Sequence, residues 1–346
     1  RAAASDAGFQ CRMIPGDHAV TAAAIAAELG IPGRAITGRE FADMSDAQLD
    51  AAIGDIGVIA RVTPEDKVRL VKTLQRLGHI VAMTGDGVND APALKTADIG
   101  VAMGITGTEA TKEAAAMILT DDNFATIIKA VEKGRALYDN LLKYIRFQLA
   151  QLIGFILTYL GAALFNIAGG IPFTPAQVLW INFLVDSPPG MLLGRDKATA
   201  GLMAQKPRPA DESIITRPLA VWVALGGLSM TVATLGLMAF LEGRGESLAV
   251  ARTVGFVTFS LTHLYAALSY RHPAASVFRR ETFDNRALNL ALLFSLLMIL
   301  LPTEVGFLSR GMNLVSLSFE GWLLCAGVAS LTLWVSEGYK LSLIHI

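Results

Sequence analysis

The sequence predicts a Rossmann-like α/β segment with a parallel sheet, followed by an all-α membrane domain of six transmembrane helices. Composition is the first observation: of 346 residues, 53% are hydrophobic and 17% are charged, whereas soluble proteins carry about 25% charged residues. The apolar residues are concentrated after Phe147. Before that residue, short apolar runs alternate with amphipathic helices, a pattern typical of parallel sheets wrapped by helices.

In the first part of the chain, the pattern predicts strands over 11–15, 57–60, 79–83 and 99–103, and helices over 17–29 and 64–77. Sites in parallel sheets form at the carboxyl ends of the strands. Three polar groups follow or neighbour such ends: Gly16-Asp17, Lys67 and Gly85-Asp86. We therefore expect a site at this edge of the sheet.

The run over 83–94 carries the chemistry of this part of the chain. Glycines on both sides of Asp86 permit a tight turn and close approach of a ligand to the backbone. Asp86 and Asp90 are spaced to present two carboxylates around a turn into a helix. Paired carboxylates beside a phosphate hold Mg²⁺ through one or two oxygens plus water. A Gly-Asp-Gly turn alone is common, so its meaning depends on the longer run.

Six stretches after Arg146 are apolar enough to be membrane helices, each near the about 20 residues that cross the hydrocarbon core. They cover 147–168, 176–194, 218–241, 254–270, 287–303 and 317–336. Lys and Arg are concentrated in the loops over 195–217 and 271–286. Basic loops face the cytoplasm, so we expect the segment before the first span to be cytoplasmic as well.

The second span contains Asn182 and Asp186, four residues apart and hence on one face of an α-helix. An ionisable side chain inside a membrane marks a functional site. Pro188 and Pro189 leave backbone carbonyls of the preceding turn without donors. Carboxylate, amide and carbonyl oxygens suit a hard cation. The alternative is an amide that packs between helices and an acid near the membrane surface.

The residues over 83–104 resemble, almost position by position, the hinge motif of P-type ATPases within the haloacid-dehalogenase superfamily. The resemblance continues through the helix over 125–146 and the membrane half. It implies the C-terminal part of a cytoplasmic phosphorylation domain of haloacid-dehalogenase type over 1–122, a stalk helix over 123–146 and a six-helix membrane domain over 147–340. We expect residues 341–346 to be a non-native tail.

The resemblance implies a catalytic role for several residues of the phosphate site. Asp86 corresponds to the Mg²⁺ ligand, and Asn89 and Asp90 order the phosphate and its metal. Lys67 resembles the lysine that offsets charge on the phosphoryl group, although without the motif a surface lysine would be the simpler reading. Thr84 and Gly85 belong to the same run.

Gly16 and Asp17 resemble the nucleotide-side loop of the family. The family has a threonine where this chain has Pro15, which removes a side-chain and a backbone donor. This departure puts full activity in doubt.

The implied function is an ATP-driven cation pump that forms and hydrolyses an aspartyl phosphate, with ATP as substrate and Mg²⁺ as cofactor. The family's phosphorylated Asp-Lys-Thr-Gly-Thr motif is not in this chain. We therefore expect a C-terminal fragment, inactive alone, whose partner is the N-terminal part of the same protein. We further expect a multi-pass protein in the lipid bilayer of the bacterial plasma membrane.

The Asn182/Asp186 core resembles the calcium-pump subgroup, so the favoured cation is Ca²⁺. A threonine ligand of that subgroup is replaced by Val185. Where the subgroup has an amide and a glutamate in the first span, this chain has Leu152 and Phe155. His263 stands where the fourth span of that subgroup has a glutamate, and we expect it to bond between helices rather than to a cation.

Other readings stay open at this point. The pump could move Mg²⁺, Na⁺/K⁺ or H⁺, or the chain could be a catalytically dead pseudo-pump or a membrane-anchored phosphohydrolase. The net charge of −1 gives no reason to expect a nucleic-acid partner. Cys11 and Cys325 suggest neither a disulfide framework nor a metal knuckle.

Overall fold

A computed structural model describes residues 8–16, 19–209, 212–273 and 275–344 of the chain. The chain forms two compact units. The soluble unit comprises Arg1–Arg135 and Gly201–Glu212, and the helical unit comprises Ala136–Ala200 and Ser213–Ile346.

The strands of the soluble unit form two small parallel sheets, one of β1 and β2 and one in the order β3-β4-β5. The strands are β1 Arg34–Thr37, β2 Ile56–Ala60, β3 Ala82–Gly85, β4 Ile99–Met103 and β5 Met117–Leu119. The helices are α1 Ala19–Glu28, α2 Gly38–Asp43, α3 Asp46–Ala52, α4 Pro64–Arg76, α5 Ala91–Thr96 and α6 Glu109–Ala114.

Local sequence explains where α4 begins and how it packs. The Thr63 side chain accepts a hydrogen bond from the Asp66 amide, and the Asp66 carboxylate accepts one from the Thr63 amide. This capping box satisfies two free donors of the first turn, and Pro64 suits the first helical position. Apolar side chains of the helix join the core of the unit, which contains Ile36, Phe41, Leu49, Ile53, Ile56, Ile59, Leu70 and Leu74.

The strand predicted over 99–103 is confirmed as β4. The strand predicted over 79–83 begins three residues later, because the His79 amide still bonds to the Leu74 carbonyl as the chain leaves α4. The strand predicted over 11–15 was wrong in extent: it reduces to a bridge between Met13 and Val58. The strands β1 and β5 were not predicted, since each has only four or three residues.

In the described residues of the helical unit, with the start of α7, the main elements are α-helices and a π-helical segment. They are α7 Phe124–Phe165, α8 Pro175–Trp180, the π segment Ile181–Asp186, α9 Ser187–Leu193, α10 Arg217–Gly243, α11 Leu248–Tyr270, α12 Arg286–Glu304, α13 Gly306–Met312, α14 Phe319–Ala329 and α15 Leu331–Ile344.

Among the described residues, four helices are long and apolar enough to cross a membrane: Phe124–Phe165, Arg217–Gly243, Arg286–Glu304 and Phe319–Ser342. The predicted count of six is not confirmed. The span predicted over 254–270 lies in α11, whose buried Thr, Ser and His side chains lower its hydropathy. The span predicted over 176–194 is interrupted by the π segment.

Candidate phosphate site and candidate cation site

The predicted phosphate-site residues lie at the carboxyl end of β3. Thr84 and Gly85 are the last residues of the strand, and a short turn, Val88–Asp90, leads into α5. The edge at which parallel strands end is where sites form in such sheets. The structure therefore places Thr84, Gly85, Asp86, Asn89 and Asp90 at the carboxyl end of β3.

Asp90 fixes both the turn and the lysine. One carboxylate oxygen, Oδ1, lies 2.5 Å from the Lys67 Nζ. The other, Oδ2, accepts hydrogen bonds from the amides of Asp86 and Gly87, each at 3.2 Å. The Asp90 side chain is buried, so these bonds face little competition from water. Lys67, on the first turn of α4, is thereby held beside the Asp86 turn.

Gly85 is required by this close packing. A Cβ atom at this position would overlap with the Cβ of Asp90. The side chain of Asp90 can lie against the turn only because Gly85 has none.

Asp86 differs from Asp90 in what its carboxylate contacts. Its side chain is exposed, and within the described ranges no hydrogen bond or ion pair engages its carboxylate. Its backbone carbonyl accepts bonds from the Thr108 amide at 2.9 Å and the Thr111 Oγ1 at 3.5 Å. One free carboxylate on a fixed backbone fits Mg²⁺, which takes few protein oxygens and keeps several waters. Asn89 is exposed on the same turn.

The second predicted loop is described only in part. Gly16 is exposed and has open space around it, and Asp17 lies outside the described residues. The Pro15 carbonyl accepts a hydrogen bond from the Arg61 amide at 3.1 Å. Proline at this position therefore keeps the backbone contact with the end of β2.

The candidate cation site centres on Asp186, the last residue of the π segment. Its side chain is 6% exposed, and its Oδ1 lies 2.6 Å from Nδ1 of His263, which is fully buried. The His263 ring also contacts Phe155, at 5.9 Å between centroids, and Phe259, at 4.6 Å. The partner of Asp186 in this structure is thus an imidazole enclosed by aromatic rings.

Asn182 is placed differently from Asp186. Its side chain is exposed, and its Nδ2 donates to the Val178 carbonyl at 3.0 Å. A π-helix has a wider turn than an α-helix, and it rearranges the backbone bonds around both residues. The Val185 carbonyl accepts from the Ser295 Oγ at 2.7 Å, and the Asn182 carbonyl accepts from the Ser187 Oγ at 2.7 Å.

Sequence reasoning missed a buried charge cluster around Asp196, in the loop after α9. Its carboxylate contacts Arg271 at 2.8 and 3.0 Å, Lys143 at 3.3 Å and the Asn285 amide at 2.8 Å. Burial alone would raise the pKa of Asp196, but the bonds from Arg271 and Asn285 outweigh burial and lower it. The sequence signal was an acid with a basic residue on each side, Arg195-Asp196-Lys197.

Family models of known proteins match both parts of the chain. The C-terminal region of cation transporting ATPases matches residues 170–342, and haloacid dehalogenase-like hydrolases match residues 2–98 and 68–131.

Among relatives, the calcium-transporting ATPase of Bacillus subtilis is 40% identical over 97% of this chain and 38% of its own length. Calcium-transporting ATPase 1 of Schizosaccharomyces pombe is 37% identical over 95% of this chain and 38% of its own length. Human calcium-transporting ATPase type 2C member 1 is 36% identical over 96% of this chain and 36% of its own length.

The chain spans about two fifths of the length of these relatives. A family match over half of the chain, together with relatives that align along nearly all of it, agrees with the resemblance carried by the run over 83–104. This chain is a membrane protein that belongs to the P-type cation-transporting ATPases.

Proposed function

We propose that this chain is the C-terminal part of an ATP-driven pump that moves Ca²⁺ across a membrane and forms and hydrolyses an aspartyl phosphate in each cycle. The observation that carries the proposal is the way Asp90 links Lys67 to the turn after β3: one Asp90 carboxylate oxygen contacts the Lys67 ammonium group, and the other accepts from the Asp86 amide. The names of the relatives favour Ca²⁺ as the cation.

At the phosphate site, Lys67 would face the phosphoryl group of ATP and of the aspartyl phosphate. An ammonium group has three donors, and Asp90 takes one of them, so two remain for phosphoryl oxygens. Asp86 would hold Mg²⁺, which when bound supplies positive charge against the phosphoryl oxygens. Asn89, Thr84 and Gly85 would line the same turn, with Gly16 and Asp17 on the nucleotide side.

At the cation site, Asp186 would be a ligand, with Asn182 as a second one. Asp186 is a buried carboxylate on a segment whose π-helical geometry alters the backbone bonds nearby. An ionisable side chain inside a membrane has a high cost in free energy, so its presence indicates a function. For Asn182 to join it, its side chain would leave the Val178 carbonyl that it now contacts.

We also propose that the helical unit crosses the membrane six times, with α11 and the helical stretch over 175–193 as the two spans beyond the four apolar helices. The basic loops over 195–217 and 271–286 would then lie on one side with the soluble unit, in the cytoplasm. The domain boundaries at 122, 146 and 340 remain part of this proposal.

Substitution of Asp86 tests the phosphate site. In the full-length pump, Asp86→Asn should abolish Mg²⁺-dependent phosphorylation from radiolabelled ATP, because the metal loses its carboxylate. Glu65→Gln, a neutralised acid on the exposed face of α4, should phosphorylate normally. Normal phosphorylation of Asp86→Asn would contradict the assignment, and no phosphorylation of the wild type would favour a pseudo-pump.

A further inference from the structure

The loop over 104–108, which follows β4, is bonded to the backbone of Asp86. The Thr108 amide donates to the Asp86 carbonyl at 2.9 Å, and the Thr111 Oγ1 approaches the same oxygen at 3.5 Å. The conformation of the loop therefore bears on the residue whose carboxylate is free.

One side chain, Asp122, holds the other end of this loop. Its Oδ1 accepts from the amides of Gly104 at 2.7 Å and Ile105 at 3.0 Å. Its Oδ2 accepts from the amide and the hydroxyl of Thr106, each at 2.8 Å. The bond from the Ile105 amide, followed by those from Thr106 and Gly104, lowers the pKa of Asp122, because each favours the charged form.

The backbone around Asp122 is unusual. Asp122 has a φ of 48°, in the left-handed region that few residues other than glycine adopt. Gly104 and Gly107 are required by the tight loop, since a Cβ on either would overlap with a backbone carbonyl, of Leu119 or Met103. A backbone outlier beside a functional loop supports a hypothesis of function.

We propose that Asp122 is a positioning residue that sets the Mg²⁺ affinity of the Asp86 site, an inference that rests on the proposed function. Without its carboxylate, the Ile105 amide, the Thr106 amide and the Thr106 hydroxyl lose their acceptor. The Gly104 amide keeps only its bond to the Leu119 carbonyl, and the loop relaxes. The Thr108 bond to Asp86 then weakens, and the turn that carries the Asp86 carboxylate shifts. Mg²⁺ demands near-ideal octahedral geometry, so a small shift of one ligand weakens binding.

The test compares Asp122→Asn with Asp121→Asn in the full-length pump. Asn keeps the size of the side chain but replaces one acceptor oxygen by an NH₂ group, which cannot accept. In either orientation of the amide, the donors of Thr106 or those of Gly104 and Ile105 lose this acceptor. Asp121 is a matched control, because in the described part of the chain its carboxylate bonds to Asn123 and Thr126 at the start of α7 and not to the loop over 104–108.

Asp122→Asn should raise the Mg²⁺ concentration for half-maximal phosphorylation about tenfold, with the maximal level retained at saturating Mg²⁺. Hydrogen exchange of the amides over 104–108 should become faster, and the Mg²⁺ needed to slow exchange over 86–90 should rise by the same factor. Asp121→Asn should match the wild type in all three measurements.

Two results would overturn the role of Asp122: an unchanged half-saturating Mg²⁺ concentration, even if phosphorylation falls at all concentrations, or an equal shift in Asp121→Asn. If the wild type forms no phosphoenzyme, the proposed pump is wrong. Hydrogen exchange over 86–90, measured at increasing Mg²⁺ without ATP, then decides the role of Asp122. If wild type and Asp122→Asn need the same Mg²⁺ concentration to slow exchange, Asp122 does not have this role.

Discussion

At the scale of single residues, the phosphate site divides its two carboxylates between two tasks. Asp90 is bonded to Lys67 and to two amides, whereas none of the described residues bonds to the carboxylate of Asp86. The run over 83–94 predicted both acids, and the resemblance to the family predicted the lysine. The sequence could not predict which acid was free, because that depends on Lys67, which lies 23 positions before Asp90.

Lys67 can be tested against a neighbour on the same helix. Lys67→Gln should lower the rate of phosphorylation by about a hundredfold, the usual cost of removing one donor from a developing negative charge. Lys72→Gln, an exposed lysine of α4, should leave the rate within about twofold. Equal rates for the two variants, measured by rapid quench with radiolabelled ATP, would show that Lys67 is a surface lysine.

At the scale of elements, the π segment is the feature that sequence reasoning missed. The spacing of Asn182 and Asp186 predicts one face of an α-helix, and the prolines at 188 and 189 predict freed carbonyls. The structure instead has six π-helical residues, with one side chain exposed and the other buried beside His263. Hydrophobic periodicity does not separate the two helix types, since the bonds that decide between them come from the backbone and from Ser187 and Ser295.

The assignment of Asp186 can be separated from its polar neighbours. Asp186→Asn should raise the Ca²⁺ concentration for half-maximal phosphorylation at least about tenfold, because a hard cation loses a carboxylate. Gln151→Ala should change it little, although Gln151 is also buried and polar. The measurement is phosphorylation over a range of free Ca²⁺. The assignment fails if Gln151→Ala has the larger effect.

The charge cluster around Asp196 gives a prediction about stability. Asp196→Asn removes one charged partner from both Arg271 and Lys143, which keep Asp284 and Asp139. The change should cost about 3 kcal/mol, seen as a lower Tm in detergent. Glu246→Gln, an exposed acid in the loop before α11, should leave the Tm unchanged. The pKa of Asp196 is lowered on folding, so its contribution is present above about pH 4 and is lost as the pH falls through the folded pKa.

The difference in Tm between wild type and Asp196→Asn should therefore have its largest value at pH 7 and should decrease below about pH 4. A gap that widens on acidification would contradict the proposed role of the charged carboxylate.

At the scale of the whole molecule, the sequence predicted that an α/β part precedes a helical part. Composition and periodicity carry this prediction, because both are averages over many residues. The strand β4 was also predictable, because five apolar or small residues lie between clear turn signals. The second and fourth predicted spans were less well defined. Their polar residues, including His263 and Asp186, meet only when the helices pack, and a single sequence does not show that contact.

The central claim is that the protein of which this chain is part moves Ca²⁺ by ATP hydrolysis, and uptake of radiolabelled Ca²⁺ into sealed vesicles tests it most directly. With full-length protein, ATP and Mg²⁺, the vesicles should accumulate Ca²⁺, with one ion per ATP, because Phe155 packs against Phe259 and His263 where a second site would need oxygen ligands. Asp86→Asn should abolish uptake, Asp186→Asn should strongly reduce it at the Ca²⁺ concentration that half-saturates the wild type, and Glu65→Gln should leave it unchanged. ATP hydrolysis that is independent of Ca²⁺, with no uptake by the wild type, would contradict the claim.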